Sequence, residues 1–310
     1  MVMTDSQKCW LNGQIIPLPE AKVSIMTHSL QYGSGIFEGI RAYETSEGPA
    51  IFRLEEHVNR FMKTARIYMM DIGYTNEQIR DAIIETVREN NLKSAYIRPF
   101  AFYDDSKVGV STYNKKISVF IGAFEFGKYF SNADAGLKCK ISSLRRFDSS
   151  SLPTQAKGSG NYLNSVLAMK EARRSGFDEA ILLDRNGMVA EGPGENIFLV
   201  RDGKLITPGE DSSILLGITR MSLLELARDM GIEVVERFVH REEIYVADEL
   251  FFCGTAAEIT PILNVDGVDI ANGKVGPITR KIRDEFFNIV QGKEPKYSKW
   301  LTKAMAEIDG

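Results

Sequence analysis

The spacing of apolar and polar positions predicts helices early in the chain. In residues 54–70 the apolar side chains fall at positions 54, 58, 61, 62, 65 and 69, which is the stripe of an amphipathic helix. Residues 75–78 open a second helix that continues to about residue 90, with four aliphatic side chains facing inward. Upstream, an Asn-Gly turn between short apolar runs predicts a hairpin over residues 9–16.

Strands are predicted on both sides of these helices. The second half of residues 29–43 has the composition of a strand, and its glycines indicate either close backbone or ligand approach or a loose loop. Two further strands are predicted over residues 95–103 and 116–124. In the first, Arg98 shares a face with two aromatic residues, an arrangement that suits a carboxylate site or a structural stacked arginine.

A short polar segment separates two regions of different character. We place a linker at residues 128–135, between a small domain over residues 1–127 and a larger one over residues 136–310. In the second region a helix follows Lys157 and ends near residue 176. Asn-Gly and Asp-Gly turns join pairs of short strands, which predicts a mostly antiparallel β region. Further elements are helices after residues 217 and 277, and strands over residues 232–239, 249–253 and 259–265.

Composition narrows the possible functions. The chain of 310 residues has a net charge of −4 and no basic run, so nucleic-acid binding is not expected. Three separated cysteines and three histidines form no zinc motif, and we expect no metal. Signal-peptide and membrane-spanning patterns are absent, as are dinucleotide and P-loop motifs. We therefore expect a cytoplasmic protein with reduced thiols, dependent on a cofactor if it is an enzyme.

Lys157 lies in an unusual setting, in Gln-Ala-Lys-Gly-Ser-Gly-Asn-Tyr just before a helix. Most lysines are solvated surface residues, so an ordinary loop lysine is one interpretation. Alternatively, a partly buried lysine amine can lose its proton and form a Schiff base with a carbonyl cofactor. The second interpretation requires partners elsewhere in the chain.

Such partners are available in the sequence. A cofactor phosphate needs helix N-terminal N–H groups, hydroxyls and a cation. Residues 217–219 open a helix, Thr255 follows a glycine in a turn, and Arg60 offers either the cation or an ordinary salt bridge. A cofactor ring nitrogen needs a carboxylate. Glu191 among glycines offers one, although a plain turn glutamate has the same pattern.

The joint order of these features resembles one family. The shared motifs are Phe37-Glu38-Gly39-Ile40-Arg41 after Tyr32-Gly33, Tyr96-Ile97-Arg98-Pro99, Ala156-Lys157-Gly158-Ser159-Gly160-Asn161-Tyr162, Glu191-Gly192-x-Gly194-Glu195-Asn196-Ile197-Phe198, Gly217-Ile218-Thr219-Arg220 and Gly254-Thr255-Ala256-Ala257-Glu258-Ile259. In combination they closely resemble the branched-chain amino-acid aminotransferases, which are fold-type IV pyridoxal-phosphate enzymes. The resemblance covers residues from about 10 to about 287.

The resemblance implies roles for individual residues. Lys157 would form the imine with pyridoxal 5′-phosphate and carry the proton, and Glu191 would pair with the ring nitrogen. Tyr162 would bond the ring oxygen. The phosphate would be held by Arg60, Ile218 and Thr219 at the Gly217 helix start, and Thr255. The substrate carboxylate would meet Tyr96 and the N–H groups of Thr255 and Ala256. The side-chain pocket would be walled by Phe37, Tyr129 and, from a neighbouring subunit, Tyr32 and Val110.

Arg98 would receive the distal carboxylate of glutamate or 2-oxoglutarate, at the edge of a pocket that also takes leucine-like side chains. Departures from the family pattern are Pro193, Cys253 and Phe126, the last in place of a tryptophan, a change that would widen or reshape the pocket. The resemblance further implies an α+β fold with a small N-terminal α/β domain, a β-rich pseudo-barrel domain and the cofactor between them. It also implies a homodimer or a hexamer of three dimers.

Three functions follow as hypotheses. The first is reversible, ping-pong transamination between branched-chain L-amino acids and 2-oxoglutarate. The second is another reaction on the same fold, either D-amino-acid transamination or aminodeoxychorismate lyase chemistry. The third is a non-enzymatic small-molecule binder with a surface lysine. The Tyr-Ile-Arg-Pro and Gly-Thr-Ala-Ala-Glu-Ile motifs favour the first.

Overall fold

The computed structural model describes residues 7–127, 129–130 and 135–304. The chain divides into two compact units. Unit 1 comprises the described residues of Met1–Gly127, Ala156–Gly160 and Asn288–Gly310, and unit 2 those of Lys128–Gln155 and Asn161–Phe287. Of the linker placed at residues 128–135, positions 128 and 131–134 lie outside the described residues. The boundaries given for the linker and domains stay a prediction.

Six α-helices and seventeen strands are present in the described residues. The first group in chain order is β1 Lys8–Leu11, β2 Gln14–Pro17, α1 His28–Tyr32, β3 Gly35–Phe37, β4 Ile40–Thr45, β5 Gly48–Phe52, α2 Leu54–Ile67, α3 Asn76–Glu89, β6 Ala95–Tyr103 and β7 Ile117–Phe124. The second group is β8 Leu137–Arg145, α4 Tyr162–Arg174, β9 Glu179–Leu183, β10 Val189–Glu191, β11 Asn196–Arg201, β12 Lys204–Thr207, α5 Ile218–Asp229, β13 Val234–Glu236, β14 Glu249–Gly254, β15 Glu258–Val265, β16 Val268–Asp269 and α6 Pro277–Val290. The last strand is β17 Leu301–Lys303.

Unit 1 is built on an antiparallel sheet. Its strand order is β17-β5-β4-β6-β7-β1-β2, and β3 pairs with the end of β6. The apolar stripes of α2 and α3, with Phe61 and Ile83 among them, share one buried core with sheet residues such as Ile97. Burial of these side chains is the main stabilising contribution of the unit. Because β3 and β4 both pair with β6, the residues around the β3–β4 junction lie beside Tyr96 and Arg98.

The short-range predictions for unit 1 are confirmed. The hairpin forms at Asn12 and Gly13, whose positive φ values of 49° and 95° suit the tight turn that an Asn-Gly pair favours. Helix α3 begins at a capping box: the Thr75 N–H donates to Gln78 Oε1 at 2.9 Å, and the Gln78 N–H donates to Thr75 Oγ1 at 3.3 Å. Both signals act within a few residues, so the sequence alone was sufficient to find them.

The strand predicted in residues 29–43 is interrupted. It forms as β3 and β4, and the two residues between them, Glu38 and Gly39, belong to neither strand. A side chain at position 39 would overlap the Tyr96 hydroxyl, so Gly39 leaves the space that the Tyr96 side chain occupies. The interpretation of this region as a loose glycine-rich loop is therefore wrong. The first half of the segment forms the short helix α1, which the sequence pattern did not predict.

Unit 2 contains a closed ring of strands. The order β10-β9-β8-β15-β14-β11 returns to its start because β10 also pairs with β11, through Glu191 and Asn196. Inward-facing side chains such as Ile181, Leu199 and Phe252 fill the ring. The predicted pseudo-barrel is confirmed, and its closing pair includes the acidic residue that the sequence singled out. Strand β12 extends this sheet beyond β11, and β13 pairs with β12.

The strands of unit 2 are more mixed than predicted. The hairpins β9–β10 and β11–β12 are antiparallel as expected, but β8–β9, β8–β15 and β12–β13 are parallel. Parallel neighbours need a crossover, and helices α4 and α5 provide it between β8 and β9 and between β12 and β13. Strand β13 is limited to Val234–Glu236, shorter than the strand predicted over residues 232–239.

Helix α4 was predicted correctly, but its large apolar residues do not form its buried face. Leu163 is 64% exposed, and Val166 and Leu167 are both 47% exposed. The buried positions are small residues, with Ala168 and Ala172 packed against β9. Small side chains allow the helix to approach the sheet closely, which leaves the larger apolar ones on the outside.

Glu179 is a buried acid in the wall of the ring. Its side chain is fully inaccessible, and Oε1 accepts a hydrogen bond from the Ala180 N–H at 2.8 Å. Within the described part of the chain, Oε2 has no hydrogen-bond partner. Burial, reinforced by the nearby Glu195 carboxylate, raises the pKa of Glu179 from its ordinary value of 4.5 to about 9. The folded protein therefore holds a proton at Glu179 that the unfolded chain releases.

Protonation of Glu179 in the folded state predicts that the free energy of unfolding depends on pH. Between pH 4.5 and about 9 the native state binds more protons at Glu179 than the unfolded state, so stability falls as pH rises through that window. Glu179→Gln removes this dependence. We expect the difference in melting temperature, Glu179→Gln minus parent, to increase steadily from pH 5 to pH 9. Glu233→Gln, at an exposed ion pair of unit 2, is the control. Parallel curves for parent and Glu179→Gln would show that Glu179 is already ionised.

Within the residues that the structure describes, the helices are all too short or too polar to cross a bilayer.

Candidate active site

The segment containing Lys157 is tied to β3 and α2 of unit 1. The Phe37 N–H donates to the Lys157 carbonyl at 3.0 Å, and the Lys157 N–H donates to Thr64 Oγ1 at 3.3 Å. Its glycines are required by close packing: a side chain on Gly158 would overlap the Tyr68 hydroxyl, and Gly160 lies against the backbone of Gly33. Lys157 is consequently a half-buried residue on a backbone fixed from two sides.

The ring of Phe37 has two cationic neighbours. Lys157 Nζ lies 4.9 Å from the ring centroid, and the Arg98 guanidinium carbon lies 4.5 Å from it. Both distances are within the range of cation–π attraction. Phe37 is itself buried, so one apolar wall carries both an amine and a guanidinium.

Tyr96 and Arg98 act together at this wall. They are two positions apart on β6 and point to the same face. Arg98 Nη2 donates to the Tyr96 hydroxyl at 2.9 Å, and the Tyr96 ring lies 4.9 Å from that of Phe126. The arginine is therefore both stacked and hydrogen-bonded, as the structural interpretation of its sequence pattern expects, and its role as a carboxylate site stays a prediction.

Arg60 lies on α2 and makes a buried ion pair. Its Nε donates to Glu38 Oε1 at 2.6 Å and its Nη2 donates to Glu38 Oε2 at 2.8 Å. His57 Nδ1 lies 2.8 Å from the same Oε2. Burial by itself would raise the pKa of Glu38, but Arg60 and His57 outweigh it and hold this pKa far below its ordinary value. The salt bridge expected of an ordinary Arg60 is present, but it is buried rather than on the surface.

Glu191 is a buried acidic residue of unit 2. It is 4% exposed, and Arg146 Nε lies 2.8 Å from its Oε1. Its Oε2 accepts hydrogen bonds from the Leu215 N–H at 2.9 Å and from Asn196 Nδ2 at 3.1 Å. These two donors and the guanidinium charge stabilise the ionised form, which is the state required to hold a protonated ring nitrogen. The interpretation of Glu191 as a plain turn glutamate is wrong.

The start of α5 has the features of a phosphate site. No side chain caps it at Gly217, and no acidic residue lies in its first turn. A side chain at Gly217 would overlap the Asn196 amide oxygen, so the chain has no room there for anything but glycine. Ile218 and Thr219 are both buried at this N-terminus, where backbone N–H groups favour an anion. The residues present therefore fit a phosphorylated cofactor.

The other predicted residues are placed as follows. Thr255 and Ala256 form the half-buried turn between β14 and β15, and Tyr162 is the half-buried first residue of α4. Tyr129 is 46% exposed, and its ring lies 4.6 Å from that of Phe130.

Tyr32 and Val110, assigned by resemblance to a neighbouring subunit, are 42% and 81% exposed on their own chain. They lie near each other, because the Gly109 N–H donates to the Tyr32 hydroxyl at 3.1 Å.

Sequence reasoning missed several side chains around these groups. In unit 1 they are Glu38, His57 and Thr64, and in unit 2 Arg146. One signal was available: positions 57, 60 and 64 follow the i, i+3, i+7 spacing of a single helix face. Arg146 had no such signal, because its partner Glu191 is 45 positions away in the sequence. The two meet because both flank β9, where the Arg146 N–H donates to the Leu183 carbonyl and Glu191 pairs with Leu182.

Metal ligation and thiol chemistry have no site in the described ranges. No group of three or more His, Cys, Asp and Glu side chains is placed there to hold a metal ion. The three cysteines are buried and free. Burial raises the pKa of the Cys139 and Cys253 thiols well above its ordinary value, so neither is a ready nucleophile.

Comparison with known proteins agrees with this chemistry. The family model for amino-transferase class IV matches residues 35–265. The branched-chain-amino-acid aminotransferase of Pseudomonas aeruginosa is 44% identical over 295 residues, which is 94% of this chain and 96% of the relative. The crystal structure of the branched-chain aminotransferase from Thermoproteus uzoniensis with norvaline has a TM-score of 0.93 and 46% identity, covering 97% of this chain and all of that one.

A third comparison involves a cofactor. The crystal structure of the branched-chain amino acid aminotransferase from Thermobaculum terrenum, in its PLP-form (holo-form), has a TM-score of 0.91 and 38% identity, covering 97% of this chain and 99% of that one. Identity of this level over nearly the full length, with the site geometry above, shows that the chain belongs to the class IV amino-transferases, in the family of the branched-chain-amino-acid aminotransferases.

Proposed function

We propose that this protein transfers amino groups reversibly between branched-chain L-amino acids and 2-oxoglutarate, using pyridoxal 5′-phosphate in a ping-pong cycle. The observation that carries the proposal is the ring of Phe37, with Lys157 Nζ at 4.9 Å and the Arg98 guanidinium at 4.5 Å. The arrangement supports the proposal because an amine and a guanidinium lie on one apolar wall, as a reacting lysine and a distal-carboxylate ligand would require. Such a wall suits both leucine-like and glutamate-like side chains.

The proposal assigns the cofactor contacts by residue. When bound, pyridoxal 5′-phosphate supplies an electron sink that stabilises negative charge at the substrate α-carbon. Lys157 holds the cofactor covalently, Glu191 pairs with the ring nitrogen and Tyr162 bonds the ring oxygen. The phosphate is held by Arg60, Gly217, Ile218, Thr219 and Thr255. The uncapped start of α5 and the ion pair of Glu191 with Arg146 support these assignments.

Lys157 would also act as the general base, once the amino group of the substrate has replaced its Nζ on the cofactor and left a free amine. Its Nζ takes the proton from the substrate α-carbon and later returns it, a role that requires a fixed position relative to that carbon. The hydrogen bonds from Phe37 and to Thr64 support such a position, because they anchor the lysine backbone on both sides.

Substrate orientation is assigned to the surrounding residues. The α-carboxylate is bound by Tyr96 and the N–H groups of Thr255 and Ala256, and the distal carboxylate of glutamate by Arg98. The apolar side chain packs on Phe37, Tyr129 and the Tyr32 and Val110 of a neighbouring subunit. The exposure of Tyr32 and Val110 on their own chain supports this last assignment.

A donor assay tests the proposed reaction. With pyridoxal 5′-phosphate and 2-oxoglutarate present, L-leucine, L-isoleucine and L-valine should each give glutamate, and D-leucine should give none. Glutamate formation can be followed with a coupled dehydrogenase. Activity with D-leucine alone would replace this proposal with D-amino-acid transamination, and no activity with any donor would refute transamination of these substrates.

We further propose a cytoplasmic homo-oligomer, either a dimer or a hexamer of three dimers. Large apolar side chains are exposed in two regions of unit 1 and on α4 of unit 2: Val23, Ile25, Leu30, Tyr32, Val108, Val110, Tyr113, Leu163, Val166 and Leu167. Exposed apolar clusters of this kind favour contacts between subunits. The three free cysteines fit a reducing compartment. Light scattering after size-exclusion chromatography measures the oligomer, and a monomer would refute it.

A further inference from the structure

Glu38 is a fully buried carboxylate with four hydrogen-bond donors. It lies between β3 and β4, where its own N–H donates to the Pro99 carbonyl at 2.9 Å. Arg60 donates to both carboxylate oxygens, and His57 and the Gly39 N–H, at 2.8 and 3.2 Å, share Oε2. A carboxylate with this many donors is held in one orientation, and it holds its partners in turn.

Glu38 determines which edge of the Arg60 guanidinium group faces away from the carboxylate. The guanidinium group has five N–H donors in a fixed plane. Glu38 takes the Nε and Nη2 edge in a bidentate pair. The donors that Glu38 does not take are the two on Nη1 and the second on Nη2, and they point away from the carboxylate. A rotation of the guanidinium would break both bonds, so the direction of this second edge is fixed.

His57 supports the same arrangement without adding a charge. Burial lowers the pKa of His57, and the charges of Arg60 and Lys157 lower it further, against the opposing effect of Glu38. The neutral ring can donate from Nδ1 to Glu38 Oε2. His57, Arg60 and Thr64 lie on one face of α2, and Thr64 accepts from the Lys157 N–H. The face of this single helix therefore contacts both Glu38 and the lysine segment.

We propose that Glu38 is a positioning residue that orients Arg60 toward the cofactor phosphate. The inference rests on the proposed function, in which Arg60 is a phosphate ligand. Loss of the Glu38 carboxylate removes the two bonds that fix the Nε and Nη2 edge of the guanidinium, so phosphate recognition weakens even though the arginine charge remains. His57 contributes to the same end, to a smaller extent, by fixing Glu38.

The test compares two ligands that differ only in the phosphate. Dissociation constants of pyridoxal and of pyridoxal 5′-phosphate are measured on the apoprotein. The constant for pyridoxal divided by the constant for pyridoxal 5′-phosphate is the affinity ratio, which reports phosphate recognition independently of turnover. We expect Glu38→Gln to lower this ratio by about tenfold or more, as removal of residues that orient ligand-binding side chains does elsewhere. Glu56→Gln, which removes an ion pair of Arg53 on the same helix, is the matched control and should leave the ratio unchanged.

Arg60→Met separates this inference from the proposed function. If Arg60→Met retains the full ratio, Arg60 is no phosphate ligand and the proposed role fails. If Arg60→Met lowers the ratio and Glu38→Gln does not, the role of Arg60 stands and the inference is wrong. An equal loss of affinity for both ligands in Glu38→Gln also overturns it, because that is the result of a purely structural role. In the Arg60→Met background, Glu38→Gln should change the ratio no further.

A second variant keeps the inference testable if Glu38→Gln does not fold. His57→Leu keeps the ion pair of Arg60 with Glu38 and removes a single donor. We expect the ratio to fall about fivefold, the equivalent of one hydrogen bond. Titration of the same apoprotein with inorganic phosphate should show a parallel loss of phosphate affinity. An unchanged ratio in a folded His57→Leu protein would contradict the contribution of His57 to the orientation of Arg60.

Discussion

Lys157→Ala is expected to lower kcat by about 10⁴-fold or more, because one side chain is assigned both the covalent attachment of the cofactor and the transfer of the substrate proton. Its backbone contacts with Phe37 and Thr64 involve main-chain atoms of Lys157 and should survive the substitution. The variant should therefore fold normally. Initial rates with L-leucine and 2-oxoglutarate give the measurement.

Reductive labelling of the cofactor linkage provides an independent test of the same prediction. Borohydride reduction followed by peptide mass spectrometry should find the cofactor attached to the peptide containing Lys157 and nowhere in the Lys157→Ala protein. Lys170→Ala, at an exposed position on α4, is the control and should keep both activity and labelling. Near-normal turnover in Lys157→Ala, or labelling at another lysine, would refute the assigned role.

Glu191→Gln is expected to lower kcat by about 10²- to 10³-fold, the usual cost of removing one electrostatic stabiliser from an active site. A neutral amide cannot stabilise a protonated ring nitrogen as a carboxylate does. The substitution should also lower stability by about 3–5 kcal/mol, because it leaves the buried Arg146 without its counter-charge. Rates and melting temperatures are measured on the same preparations.

The double variant Glu191→Gln/Arg146→Met distinguishes the two effects. Replacing both partners of a buried ion pair is often neutral for stability, so the melting temperature should recover much of the loss. The rate should stay low, since the carboxylate is still missing. Recovery of the rate together with the melting temperature would mean that Glu191 contributes through stability alone.

Much of the secondary structure could be predicted because its signals are local. The Asn12-Gly13 turn, the Thr75 capping box and the apolar stripe of α2 each depend on residues within one or two turns of chain. The order of the motifs around Lys157 and Glu191 was enough to indicate the family. Helix α4 shows the limit of a local pattern: its spacing predicted a helix, but Ala168 and Ala172 rather than its larger apolar residues form the buried face.

The sequence by itself determined the local elements and the family, and it indicated Lys157 as the candidate lysine. Only the tertiary structure decided which groups surround each candidate. Glu38, at the β3–β4 junction, contacts Arg60 and His57 on α2, and Arg146 contacts Glu191 because both residues flank β9. Contacts between residues far apart in sequence depend on chain closure and on packing over the whole unit, which no short window of residues encodes.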